Sequence, residues 1–123
     1  MKKILMFAAI AALAATAADA MTVKTFVEKA DALEKKGVMA LMSSDFRLLK
    51  KEVETAGAAL KAERLAAEKA GRRPAYCPTA QSGGLNSKEL LAYFRAIPPQ
   101  QRERTEVKDA LRSLMARKFP CRA

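Results

Sequence analysis

Residues 76–121 read YCPTAQSGGLNSKELLAYFRAIPPQQRERTEVKDALRSLMARKFPC and hold both cysteines of the chain, Cys77 and Cys121. The two stand in matching settings, Tyr76-Cys77-Pro78 and Phe119-Pro120-Cys121. Between them the pattern is helical. Asn86 or Ser87 can cap a helix, with Glu89 three residues after Asn86 completing a capping-box-like spacing. Leu90, Leu91, Phe94 and Ile97 then recur on one face. Pro98-Pro99 stops that helix and can start a short turn through Arg104. Thr105 is expected to cap a last helix with Val107, Ala110, Leu111, Leu114 and Met115 on one side, ended by Phe119-Pro120. A bond between Cys77 and Cys121 would join the end of this last helix to the loop before helix 87–97, forcing an antiparallel helical pair.

Whether the cysteines pair depends on compartment, and the other end of the chain bears on that. Met1-Lys2-Lys3 gives a short positive start, and Ile4 to Ala17 is an uncharged, mostly apolar run. Ala18-Asp19-Ala20 places small residues where a signal peptidase reads them, so cleavage is expected after Ala20, with Ala15-Thr16-Ala17 a weaker alternative. The apolar run falls short of the ~20 residues that span a bilayer. No cysteine follows the cleavage site, which argues against a lipoprotein. The expected organisation is a cleaved secretory signal at 1–20 and one helical domain at 21–123, in the periplasm or secreted.

Export makes a Cys77–Cys121 disulfide the simplest pairing. The two lie 44 residues apart. Closing a loop of that length in the unfolded chain is worth about 4 kcal/mol in the chain-entropy model. Two free thiols are expected only if the leader is not one. A metal site needs more ligands than these, and histidine is absent from the chain. There is no Cys-x-x-Cys for redox work.

The first half also reads as helical. Thr22 can cap a helix in which Val23, Phe26, Ala30 and Leu33 follow three- and four-residue steps, Asp31 and Lys35 stand at i,i+4, and Gly37 is a stop. Val38 to Met42 suggests a short helical turn. Ser43-Ser44-Asp45 offers a fresh cap for a helix running from Asp45 to about Ala70, closed by Gly71. Leu49, Val53, Ala56 and Leu60 form its apolar stripe, and charges of both signs fill the other faces. Gly57 either lets another helix approach closely or is a tolerated cost of ~1 kcal/mol. The fold class expected is all-α, a small bundle of about four main helices with one disulfide.

Charge is uneven. Residues 21–71 carry 10 basic and 8 acidic groups, whereas 72–123 carry 11 basic and 4 acidic ones. Arg104, Lys108 and Arg112 recur every four residues and would form a row on the last helix, extended by Arg117 and Lys118. Such a row is either a solvated surface or a patch for an acidic protein, a cell-wall polymer or an anionic headgroup. Nucleic acid is not the expected partner of an exported chain without interleaved aromatics.

Without histidine the usual acid–base and serine or cysteine nucleophile arrangements are missing, and neither Gly-x-Ser-x-Gly nor Ser-x-x-Lys occurs. Gly83-Gly84 is too short for a phosphate loop. The carboxylates Asp45, Glu52, Glu54, Glu63 and Glu68 share one helix with nearby bases and read as surface charge. No catalytic residue and no cofactor is expected.

The order Tyr76-Cys77-Pro78, polar loop, Leu90-Leu91-Ala92-Tyr93-Phe94, Ile97-Pro98-Pro99, Ala110-Leu111, Phe119-Pro120-Cys121 resembles the Rap/Tai-type immunity protein family of type VI secretion. The resemblance covers about residues 75–123. It implies a small exported helical protein that binds and neutralises a peptidoglycan-amidase effector in the periplasm, with no catalysis of its own. The alternative expectation is a small basic envelope protein, structural or chaperone-like, docking on anionic surfaces through the Arg104, Lys108, Arg112 row.

Overall fold

The computed structural model describes residues 20–122, so the expected leader, apart from Ala20, lies outside the described residues. Of these, 70% are helical, none is in a strand, and four of the five helices have seven residues or more. The helices are α1 (Val23–Lys36), α2 (Ser44–Lys69), α3 (Ser87–Ala96), α4 (Pro99–Arg102) and α5 (Val107–Lys118), with a 3₁₀ segment, Gly37–Met42, between α1 and α2.

The caps explain most of the boundaries. The Thr22 hydroxyl accepts from the Thr25 amide and starts α1; Gly37, at φ 58°, ends it. The Ser43 hydroxyl accepts from the Asp45 amide at the start of α2. At the other end of α2, Gly71 takes φ 72°. The Gly71 amide donates to the Glu68 carbonyl and the Arg72 amide to that of Ala67. That pair of bonds is a Schellman closure, which an L-residue in place of Gly71 would strain.

Two expected local pairings form differently. The Asn86 side chain accepts from the Glu89 amide at 2.8 Å. Glu89, however, turns its carboxylate to Lys118 on α5 instead of closing the capping box. Asp31 pairs with Arg95 of α3 at 2.8 Å, and not with Lys35. In both cases a tertiary cation takes the carboxylate that the sequence offers to a local partner.

Thr105 does not cap α5. Glu106 holds that position and makes no side-chain cap bond, while the Thr105 hydroxyl donates to the Gln101 carbonyl. One amide of the first turn of α5 is satisfied from afar. The Val107 amide donates to the Met21 carbonyl at 2.9 Å, and the Val23 amide donates to the Thr105 carbonyl at 2.8 Å. Helices α1 and α5 thus begin side by side, each giving one otherwise orphaned amide to the backbone just before the other. Val23 and Val107 are both fully buried at this junction.

One core joins α1, α2, α3 and α5. Phe94 sits at its centre against Phe26, edge to face with ring centroids 5.3 Å apart. Leu60 of α2 and Leu111 and Leu114 of α5 belong to this core, and α2 and α5 make the most extensive helix contact among the described residues. Arg102 of α4 donates to the carbonyls of Ile97 and Arg95, closing the C-terminal end of α3.

Candidate functional site

The stapled half is closed at several points. Cys77 and Cys121 are disulfide-bonded. The Cys77 amide donates to the Phe119 carbonyl at 2.7 Å, and Arg73 donates to the carbonyl of Cys121. Lys118 donates to the Gly84 carbonyl at 2.8 Å and pairs with Glu89. The end of α5 therefore lies beside the start of α3, the antiparallel arrangement the staple implies. Tyr76, next to the staple, is buried under the guanidinium of Arg64, 5.6 Å from its ring centroid.

The basic row on α5 is only partly free. Arg112 donates three hydrogen bonds to Glu63 of α2 at 3.0–3.1 Å and one to Asp109 at 2.8 Å. Lys108 lies 3.4 Å from the same Glu63 carboxylate. The Arg112 guanidinium is held above the ordinary arginine range, chiefly by its bond to Asp109, against the opposing effect of burial and with a further contribution from Glu63. Arg104 is exposed but stands in the turn between α4 and α5, because the helix starts only at Val107, so it does not join Lys108 and Arg112 in a helical row as expected. Two of the three row residues thus clasp α5 to α2.

The feature that sequence reasoning missed is an open apolar groove of about 760 Å³. Phe26, Ala30 and Leu33 of α1 form one flank. Leu49, Val53 and Gly57 of α2 form the other, with Leu90 and Leu91 of α3 and Leu111 and Met115 of α5 beneath. Phe26, Ala30, Leu33, Leu49, Leu90 and Leu111 are themselves buried, whereas Val53, Gly57, Leu91 and Met115 are half-buried. Lys50, Glu54 and Glu34 supply charge at the edge. Lys50 faces Glu54 at 4.0 Å, and Glu34 pairs with Arg95 at 2.7 Å. Arg95 is held above the ordinary arginine range by hydrogen bonds first to Glu34 and then to Asp31.

Beside the groove runs the 3₁₀ segment, which buries none of its residues. Val38 is 83% and Met42 76% exposed, and Met39 and Leu41 stand out with them. Ala40 and Leu41 also line the groove, so strip and groove are one continuous apolar surface. The signal was present in the sequence as Gly37-Val38-Met39-Ala40-Leu41-Met42, a run too short and too uniformly apolar to have a polar face. Surfaces of this kind on a small protein mark places where apolar partners bind, and methionine side chains adapt to varied partner shapes.

Among the described residues no helix is long and apolar enough to cross a membrane, and no group of three or more histidine, cysteine, aspartate or glutamate residues could hold a metal ion. Compared with family models, with curated proteins and with solved structures, the chain gives no match.

Proposed function

We propose that the protein is a non-catalytic exported binding protein, acting in the periplasm as an immunity-like inhibitor of a cell-wall amidase effector of type VI secretion. Its binding face in this proposal is the apolar groove with the adjoining Val38–Met42 strip. The observation that carries the reading is that four large apolar side chains stand exposed beside an open apolar groove in a chain whose small core has every use for them. Burying such a side chain is worth on the order of 1.5–3 kcal/mol, so their exposure is sensible if a partner covers them. The resemblance of residues 75–123 to the immunity family supplies the class of partner.

The alternative, docking on anionic envelope surfaces through Arg104, Lys108 and Arg112, has less to work with, because Lys108 and Arg112 both engage Glu63. Co-expression with candidate amidases in the periplasm distinguishes the two. The proposal expects a stoichiometric complex that survives high salt, protects the cell, and is lost in Val38→Asp and Met42→Asp. Absence of any complex and of protection would sink it, and salt-sensitive binding to anionic vesicles would favour the alternative.

A further inference from the structure

The 3₁₀ strip has a chemical setting of its own. We infer that Val38, Met39, Leu41 and Met42 form a tip that docks the protein, when no partner covers it, on a membrane surface carrying anionic headgroups. The apolar side chains enter the interface and the cations around them meet the headgroups. The inference goes beyond the binding reading above and does not depend on it.

Exposed apolar surface is gathered at one place. Among the described residues six large apolar side chains stand exposed, and five of them, Val38, Met39, Leu41, Met42 and Leu48, fall within residues 38–48. The sixth, Leu65, is seventeen residues beyond Leu48 on the same helix, about 25 Å along its axis. Within Val38–Met42 no side chain carries a hydrogen-bond donor. The main chain meets part of its own demand, since a 3₁₀ turn bonds i to i+3 and the Ser43 amide closes it on the Ala40 carbonyl at 3.0 Å. That matters in an apolar layer, where an unmet backbone group is costly.

Charge selects an anionic lipid surface among apolar partners. Residues 35–51 carry five cations, Lys35, Lys36, Arg47, Lys50 and Lys51, against one acid, Asp45. Asp45 is drawn to Lys29 at 3.3 Å, and Glu34, just before the stretch, to Arg95 at 2.7 Å. Lys50 has only a loose contact with Glu54, at 4.0 Å with both side chains 66% exposed. Lys35, Lys36, Arg47 and Lys51 are exposed and make no ion pair among the described residues. The strip is therefore bracketed by unpaired cations at the end of α1 and the start of α2, while the neighbouring acids are neutralised from elsewhere. Lysine and arginine lay their stems on apolar surface and keep their heads in water. An apolar cluster with such a border holds a protein on an anionic bilayer without crossing it. Two copies meeting strip to strip would instead bring like charges together.

The chain has no tryptophan, so a single introduced one reports on its own site. The test uses the chain beginning at Met21, which contains the whole core, carrying Met42→Trp or, as a control, Leu65→Trp. The probes are vesicles of phosphatidylglycerol mixed with phosphatidylcholine, vesicles of phosphatidylcholine alone, and soluble polyglutamate. On the mixed vesicles the Met42→Trp emission should move to shorter wavelength and be quenched by brominated acyl chains, while that of Leu65→Trp stays as in buffer. Neutral vesicles should bind at least tenfold more weakly. Glutamine at Lys35, Lys36, Arg47 and Lys51 together, or Leu41→Asp alone, should each weaken binding at least tenfold; circular dichroism checks that these exposed changes leave the helices intact. Should the fourfold variant unfold, Lys36→Gln with Arg47→Gln takes its place, with a severalfold loss expected.

No binding, equal binding to neutral vesicles, or an equal response of Leu65→Trp would overturn the inference. So would the same spectral shift with polyglutamate, which would give the tip to an acidic protein, or a concentration-dependent shift without lipid, which would give it to a second copy. Vesicle binding lost in Arg104→Glu with Lys108→Glu and Arg112→Glu, but kept in the fourfold glutamine variant, would assign it to the basic residues near α5 and overturn it as well. The binding reading is tested separately: an amidase complex without vesicle binding removes only the tip, and vesicle binding without any complex removes only the amidase.

Discussion

The carboxylate of Glu63, on α2, accepts three hydrogen bonds from the guanidinium of Arg112, on α5. The pair lies on the flank of the core seam between these helices, and Lys108 reaches the same carboxylate. A planar fork on a carboxylate has geometric definition that a lysine contact lacks. Both side chains remain about a third or more exposed, so solvent screens much of the attraction.

Arg112→Ala is therefore expected to lower stability by about 1 kcal/mol, and Lys108→Ala by less than about 0.5 kcal/mol. A double-mutant cycle between Glu63 and Arg112 in urea measures the coupling, which should shrink at high salt. The pH dependence has a definite sign. An arginine pKa raised in the folded state contributes stability that is fully present below the unfolded value and is lost only as pH rises through the folded value. The arginine side of the clasp therefore stays intact through neutral and mildly alkaline pH. An equal loss for Arg112→Ala and Lys108→Ala would show that geometry is irrelevant to this contact.

The staple carries a second prediction. Cys77→Ser with Cys121→Ser frees a loop of sequence separation 44, and the expected loss is about 2–4 kcal/mol, measured by urea unfolding of the double variant against the parent. The variant should lose order first in the segment between α2 and α3, where without the bond only the Cys77 amide, the Arg73 contact and the burial of Tyr76 under Arg64 tie the loop to the rest. Mass spectrometry, without reductant, of the protein directed to the periplasm should find no alkylatable thiol; two such thiols would show that the pair does not form there.

A third prediction concerns the junction of α1 and α5. A chain that begins at Val23 lacks the Met21 carbonyl and the Thr22 cap. It leaves the Val107 amide, on a fully buried residue, without its acceptor. An unmet buried donor costs about 1–3 kcal/mol and a lost cap about 1 kcal/mol more. Hydrogen exchange reads this directly, with the Val107 amide expected to be protected in the chain beginning at Met21 and to exchange much faster in the shortened one. Unchanged protection would mean that the cross-chain bond is not what holds the amide.

These features differ in how far the sequence shows them. Thr22, Ser43, Asn86, Gly37 and Gly71 announced helix ends because a cap acts within a few residues of itself. The disulfide could be read because only two cysteines exist to pair. Thr105 misled for the opposite reason: the Val107 amide at the start of α5 is met by Met21, more than eighty residues away, which no local pattern encodes. The Arg104, Lys108, Arg112 row was visible as spacing, but that Glu63 engages two of its members depends on how α2 lies on α5. Of the apolar surface only the Gly37–Met42 run was legible; the groove beside it depends on how four helices lie on one another, which no local pattern encodes.

Gly57 allows the last prediction to be made against internal controls. Alanine is the better helix former by up to about 1 kcal/mol, and it restricts the unfolded chain as well. With nothing within 4 Å of the added methyl, Gly57→Ala should stabilise the protein by about 0.5–1 kcal/mol, raising the thermal midpoint by roughly 2–8 °C for a domain of this size. Gly37→Ala and Gly71→Ala have equally open surroundings, but their φ values of 58° and 72° are strained for alanine. Both should be destabilising by about 1 kcal/mol. Thermal unfolding of the three variants, followed by circular dichroism, therefore separates space from backbone conformation. If Gly57→Ala lowered the midpoint as the other two do, the glycine would be serving the protein's own packing.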